Sequence, residues 1–373
     1  MKTNWRAKGL KFCQVAGLPI LEPFVRLAAG EEPREQIRNI FKFIVVPLIA
    51  TVLFVVMWSQ AAKRIKTESA QLPGPAATWA AGKELWNAHF EQKRQDRQRM
   101  IVERNKAIPL MRQALSLESR AAEVADVQKA AMLSEAAIIR KKALQAANFY
   151  PTSAPTFIDQ TIRSIGTVFV GFFIATLIAV PLGILCGISP IFNAALNPLI
   201  QIFKPVSPLA WLPIASIVII WWYSGTNVDD AMFSRAFLIS ATTVSLCSLW
   251  PTLVNTALGV ASVNKDYLNV AKVLNLSWWQ TLVKIIVPAS LPLMFAGLRI
   301  SLGVGWMVLI AADMLAQNPG LGKFVWDMFQ NGSNSTYARI AVAVLVIGMV
   351  GLVLDRLMVC LRNLVSFGNN APA

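Results

Sequence analysis

Four long stretches of this chain carry no charge: between Lys42 and Lys63, Arg163 and Lys204, Lys204 and Asp229, and Arg235 and Lys265. The second is about twice the ~20 apolar residues that one membrane-crossing helix needs, so it holds at least one helix and a turn. Lipid cannot hydrogen-bond free backbone groups, so such runs must be helical. The pattern predicts six membrane helices, at roughly 43–62, 164–185, 191–223, 236–260, 291–315 and 340–361. The second is expected to end at the Cys186-Gly187-Ile188-Ser189-Pro190 turn. The third is expected to break around Lys204-Pro205-Val206-Ser207-Pro208. Pro47, Pro205, Pro208 and Pro213 should kink or interrupt their helices, because proline has no N–H and its ring meets the carbonyl one turn back.

Between the first two apolar runs lies a polar segment, 63–163, with a turn-rich start at Leu72-Pro73-Gly74-Pro75. Residues 84–148 are rich in Ala, Glu, Gln, Arg and Lys and predict long amphipathic helix, folded as a hairpin or short coiled coil. Ile108, Leu110, Met111, Leu115 and Leu117 have helical spacing, and Pro109 should start or break a helix there. Two readings stay open for this segment: a solvated spacer, or a periplasmic platform for a binding protein or a neighbouring subunit. The expected organisation is all-α. A cytoplasmic or interfacial start, 1–42, leads into a first membrane helix, 43–62. A periplasmic helical insertion, 63–163, is followed by a membrane core, 164–365, and a cytoplasmic tail, 366–373.

Composition supports the membrane reading. The chain is 55% hydrophobic and 15% charged, with formal net charge +15. Basic residues cluster before the first helix (Lys2, Arg6, Lys8, Lys11, Arg26, Arg34, Arg38, Lys42), between the fourth and fifth (Lys265, Lys272, Lys284) and at the end of the sixth (Arg356, Arg362). Six crossings put all three groups on one side, which the positive-inside rule makes the cytoplasm. The positive charge therefore reports topology, together with contact to anionic lipid headgroups, rather than binding to nucleic acid. The apolar patch after the basic start is interrupted by Glu22 and Arg26 and has no clean cleavage site, so 10–29 is expected on the inner membrane surface rather than in a signal peptide. Cys13, Cys186, Cys247 and Cys360 show no paired spacing, so neither a disulfide framework nor a metal site is indicated.

Catalytic chemistry is thin. The one histidine, His89, lies in the polar segment and reads as a solvated surface position. Residues 74–83 have the wrong spacing for a phosphate loop, with Glu84 where Ser or Thr is needed, and Gly320-Leu321-Gly322-Lys323 is followed by Phe324. No catalytic residue and no cofactor is assigned to this chain, and any ATP hydrolysis must occur on another polypeptide.

One polar segment does carry a signal. Asn269 to Pro288, NVAKVLNLSWWQTLVKIIVP, lies between two apolar runs on the predicted cytoplasmic side. Its spacing resembles the coupling loop of ABC-importer permeases, E-A-A, three residues, G, nine residues, I-x-L-P. Asn269, Val270 and Ala271 take the E-A-A positions, Asn275 the Gly position, and Ile285, Val287 and Pro288 the I-x-L-P positions. The Glu, the first Ala and the Gly are absent. The loop is expected as two helices, about 266–276 and 278–286, with Ser277 capping the second. The turn at Asn275-Leu276-Ser277 would then project toward the cytoplasm, and Val270, Ala271, Leu274, Trp278 and Trp279 would fill an ATPase groove. The competing reading is an amphipathic interfacial helix whose tryptophans sit among headgroups.

The string Lys204-Pro205-Val206-Ser207-Pro208-Leu209-Ala210-Trp211-Leu212-Pro213 resembles the permeases of nitrate importers and their bicarbonate relatives, within the nitrate/sulfonate/taurine group of MetI-like permeases. Phe295-Ala296-Gly297-Leu298-Arg299-Ile300, Gly320-Leu321-Gly322 and Leu354-Asp355-Arg356-Leu357 fit the same group. The resemblance implies an inner-membrane permease working as two copies, with two cytoplasmic ABC ATPases that hold ATP and Mg, and a periplasmic solute-binding protein. Nitrate or nitrite is the first choice of substrate, bicarbonate the second, an alkanesulfonate such as taurine the third. A secondary transporter and a membrane scaffold are the alternatives of another class. Lys204, Ser207, Trp211, Arg299 and Asp313 are candidates for the translocation path. Lys204 has a snorkelling reading beside it, and Arg299 a structural one. Asp313 would repel an anion and is expected to fix helix packing or a gate.

Overall fold

The computed structural model describes residues 22–29, 33–65, 71–123, 126–224 and 233–366. Most of the predicted interfacial start, the centre of the 224–235 loop and nearly all of the C-terminal tail lie outside them. The helices are α1 (Glu22–Ala28), α2 (Pro33–Ile40), α3 (Val46–Arg64), α4 (Pro75–Asn105), α5 (Ala107–Ala121), α6 (Asp126–Ala147), α7 (Phe157–Ile188), α8 (Pro190–Phe203), α9 (Pro208–Tyr223), α10 (Arg235–Ala261), α11 (Lys265–Val273), α12 (Trp278–Thr281), α13 (Val287–Leu315), α14 (Leu321–Asn331) and α15 (Asn334–Ser366). They form two compact units, Gly82–Asp159 and the rest.

Among the described residues, five helical stretches are long and apolar enough to cross a membrane: Pro33–Arg64, Phe157–Ile188, Arg235–Ala261, Trp278–Leu315 and Asn334–Val365. The remaining expected span, third in chain order, is α8 and α9, bent by 106° at the break. Pro205 and Pro208 both lack an N–H, so no continuous ladder crosses 204–208. Ser207 then restarts the helix, its Oγ accepting from the Leu209 N–H at 3.3 Å.

Several helices outrun their charge-free cores, because capping rather than hydrophobicity sets their ends. α7 begins at Phe157, ahead of the expected 164. Thr156 Oγ1 accepts from the Asp159 N–H at 3.3 Å, and Asp159 Oδ2 accepts from the Thr156 N–H at 3.2 Å, a reciprocal cap. Ser333 and Thr336 repeat this at the start of α15, ahead of the expected 340.

Among the described residues, two π-helical turns precede prolines. Phe41–Val45 precedes Pro47, and Leu282–Ile286 precedes Pro288. In each, the next residue's N–H reaches back five positions, Val46 to the Phe41 carbonyl and Val287 to the Leu282 carbonyl. Widening the turn gives the proline ring room without breaking the helix. The second half of the coupling loop, expected as a separate helix over 278–286, therefore runs directly into α13.

The membrane core is built on α10. Its hydroxyl-rich face is buried against α13, where Ser301 Oγ accepts from the Thr252 N–H at 3.1 Å and from Thr252 Oγ1 at 2.7 Å. Ser301 in turn donates to the Ser248 carbonyl. On the other side α7 approaches closely through Gly183-x-x-x-Gly187. A Cβ on Gly187 would sit 2.5 Å from the Val260 Cβ, so no larger residue fits at this crossing. By contrast α3 is almost wholly exposed and is tied at its end by the Trp58 indole, which donates to the Pro73 carbonyl at 3.0 Å.

In the second unit, α5 and α6 form an antiparallel hairpin with a seam of alanines: Ala114, Ala121, Ala136 and Ala143 are all essentially buried. Spacings of seven residues on each helix place these small side chains on one face and let the backbones approach closely. Pro109 sits in the first turn of α5, where its missing N–H is one the helix would leave unpaired anyway.

Candidate functional site

Asn264 starts the coupling segment. Its Oδ1 accepts from the Asp266 N–H at 3.0 Å and caps α11. At the other end the chain reverses through Asn275, whose φ of 51° is left-handed. The Leu276 N–H bonds the Ala271 carbonyl at 3.0 Å, closing the turn as in a Schellman cap. Glycine is favoured at such a position because it has no Cβ to clash, and asparagine is the side chain that best tolerates it. The Gly-to-Asn departure in the motif thus puts there a residue that accepts left-handed backbone. Ser277 begins α12 with a full capping box: its Oγ accepts from the Gln280 N–H at 3.3 Å, and Gln280 Oε1 accepts from the Ser277 N–H at 3.0 Å.

This geometry presents an apolar ridge. Asn269, Val270, Leu274 and Asn275 are exposed, Leu276 is half-buried and Ser277 is exposed. Trp278 and Trp279, edge to face with centroids 5.0 Å apart, are 56% and 67% exposed. Ala271 differs from the expectation: at 2% exposure it faces inward and supports the loop. Val270 and Leu274, one turn apart at the end of α11, face outward, whereas Ala271 and Leu268, three positions apart, face inward. Leu268 joins the cluster of Val260, Leu282 and Ile286 that anchors the loop to the membrane core.

The five path candidates do not form one site. Lys204, Ser207 and Trp211 lie together at the α8–α9 break. Lys204 ends α8 and is exposed, and Ser207 caps α9. The Trp211 ring packs on Phe203 at 5.5 Å, and Trp250 of α10 stacks on the same Phe203 at 5.9 Å. Arg299 lies elsewhere, on α13. Its guanidinium clasps Asp355 of α15 through two bonds, Nε to Oδ1 at 2.5 Å and Nη2 to Oδ2 at 2.9 Å. That fork–fork pairing is the strong form of the arginine–carboxylate contact. It commits the guanidinium to a protein partner, although both side chains stay partly exposed.

Asp313 is a third, separate place, about 21 Å along α13 from Arg299 at 1.5 Å per residue. It is fully buried. Ser164 Oγ donates to its Oδ2 at 2.7 Å, and Asn318 Nδ2 donates to its Oδ1 at 2.7 Å. The Leu321 N–H donates to Ser164 Oγ at 2.8 Å, so one carboxylate ties α7, α13 and the start of α14 together. This explains the Gly320-Leu321-Gly322 pattern. A Cβ on Gly320 would fall 2.1 Å from Asp313 Oδ2, and one on Gly322 would fall 1.9 Å from the Ile310 carbonyl oxygen. Asp355, Trp250, Phe203, Ser164 and Asn318 were not singled out individually from the sequence. Only Asp355 stood inside a noted string.

A family described as "Binding-protein-dependent transport system inner membrane component" matches residues 179–366, which hold the break, the coupling segment, Arg299 and Asp313. The chain belongs to this family. It is a permease component of an ABC importer and a multi-pass protein of the bacterial inner membrane. The nitrate import permease protein NrtB of Synechococcus elongatus is 36% identical over 207 residues, 56% of this chain and 69% of that protein. The bicarbonate transport system permease protein CmpB of the same species is 40% identical over 205 residues, 55% and 68% of the two chains. The taurine transport system permease protein TauC of Escherichia coli is 35% identical over 174 residues, 45% of this permease and 58% of TauC.

Proposed function

We propose that this permease subunit carries a small planar oxyanion, nitrate or nitrite in the first place, through an ATP-driven importer. The observation that carries the reading is the extent of likeness: the nitrate and bicarbonate permeases are matched over more than two thirds of their length, the taurine permease over 58%. Bicarbonate is the second reading, favoured by the 40% identity to CmpB.

In this reading two copies of the chain form the pathway. Each presents its ridge of Val270, Leu274, Trp278 and Trp279 to one of two cytoplasmic ABC ATPase subunits. ATP and Mg are held there, and this chain supplies no cofactor site. A periplasmic solute-binding protein delivers the anion. Both termini are cytoplasmic and 63–163 is periplasmic, where it serves as a spacer or platform. The rigid connection from α12 through the π turn into α13 supports coupling: a push on the tryptophans moves a helix that reaches Arg299 and Asp313. Lys204 at the break provides positive potential for entry, and Ser207 and Trp211 stand beside it. Arg299 takes part in the path only when Asp355 releases it.

The test is uptake in a strain deleted for its own nitrate, bicarbonate and taurine importers and supplied with the complete transport system. Nitrate uptake with no taurine uptake is expected, together with a fall in nitrate uptake for Lys204→Gln in a permease that still co-purifies with its ATPase. Taurine uptake alone would overturn the oxyanion reading.

A further inference from the structure

We propose that the indole N–H groups of Trp211 and Trp250 are the anion donors of the occluded pathway, a role that rests on the oxyanion reading above. Both nitrogens are buried, and among the described residues neither has a hydrogen-bond partner. Native proteins seldom leave such donors unpaired. Two other indoles among the described residues are paired: Trp58 donates to the Pro73 carbonyl and Trp306 to the Ile347 carbonyl, each at 3.0 Å. A serine or threonine hydroxyl can turn its hydrogen toward a new acceptor. An indole can do so only by moving the whole ring, so two unpaired indoles on one neighbour are a feature of the packing.

Their placement points to a ligand. Both rings lie against Phe203, the last residue of α8 before the 106° break, and Trp211 is in the first turn of α9. Trp250 lies about 22 Å from the start of α10 at 1.5 Å per residue, deep in a span rather than in the headgroup belt where membrane tryptophans usually sit. An indole N–H donates and never accepts, so it suits an anion and not a cation. Neutral donors also favour passage. They replace part of the anion's hydration without the tight fork of a free guanidinium, and conduction requires binding weak enough to leave. The break lets Trp211 turn with α9 relative to Trp250 on α10, which would open the two N–H groups toward an entering oxyanion.

The test uses the complete transporter, purified through this chain and reconstituted in vesicles, with nitrate as the probe. Trp211→Phe and Trp250→Phe keep an aromatic ring and remove the donor. Replacing either residue by 3-benzothienylalanine keeps the bicyclic shape and exchanges N–H for sulfur. Hydrogen bonds to charged groups are strong enough that each change should lower nitrate uptake at limiting nitrate by about tenfold or more. Uptake at the wild-type level in the benzothienyl variants, with wild type carrying nitrate, overturns the donor role and leaves the oxyanion reading standing. So does loss in the phenylalanine variants alone, which would assign the effect to ring shape. A wild-type transporter that carries neither nitrate nor bicarbonate ends both.

Discussion

Asn275 offers the sharpest single-residue experiment. Its φ of 51° brings the Cβ close to the following carbonyl, which costs most L-residues about 1–2 kcal/mol and asparagine less. Asn275→Val incurs that cost in full and adds the stiffness of a β-branched side chain. The turn exists to bring the Leu276 N–H onto the Ala271 carbonyl, so destabilising it opens that bond. A change of 1–2 kcal/mol corresponds to roughly a 5–30-fold shift in a local opening equilibrium. Hydrogen exchange read on peptides covering Leu274 and Leu276 should quicken by that factor in Asn275→Val. Asn275→Gly should stay within about twofold, because relief of the Cβ clash and the greater flexibility of the glycine chain oppose each other at similar size. Unchanged exchange in the valine variant would refute the argument that left-handed geometry, rather than the asparagine side chain, explains this position.

Trp279→Ala should lower the amount of ATPase co-purifying with the permease by at least tenfold, since exposed aromatic anchors commonly dominate such interfaces; retention at the wild-type level would point to headgroup contact instead. Ala271→Glu should reduce the yield of folded permease, because it places a charge at a site only 2% exposed, and a well-folded variant would contradict that burial. Gly320→Ala should cut thermal stability in detergent and release the start of α14, given the 2.1 Å approach to Asp313 Oδ2, with an unchanged melting temperature as the adverse result. A cysteine placed at Ala107 should react with an impermeant thiol reagent in cells stripped of their outer membrane, and protection there would reverse the proposed orientation.

By itself, the sequence determined the class of this protein. Lipid has no hydrogen bonds to offer, so charge-free runs of sufficient length had to be helices, and Pro205 with Pro208 had to interrupt one of them. The coupling segment was legible for a similar reason: a polar, tryptophan-bearing stretch between apolar runs has a recognisable spacing, and Ser277 is a cap by its chemistry. What sequence periodicity could not reach was anything set by another helix. Ala271 and Val270 are adjacent and both small or apolar, and only the packing of Leu268, Leu282 and Ile286 decides that one faces inward and the other outward. Arg299 reads as a free cation until Asp355, fifty-six positions away, closes on it. Asp313 reads as an awkward charge until Ser164 and Asn318 arrive from other elements to satisfy it. Helix formation is local and shows in the order of residues. The pairing of buried polar groups depends on which helices cross and where, and glycine approaches such as Gly187 on Val260 settle that only in three dimensions.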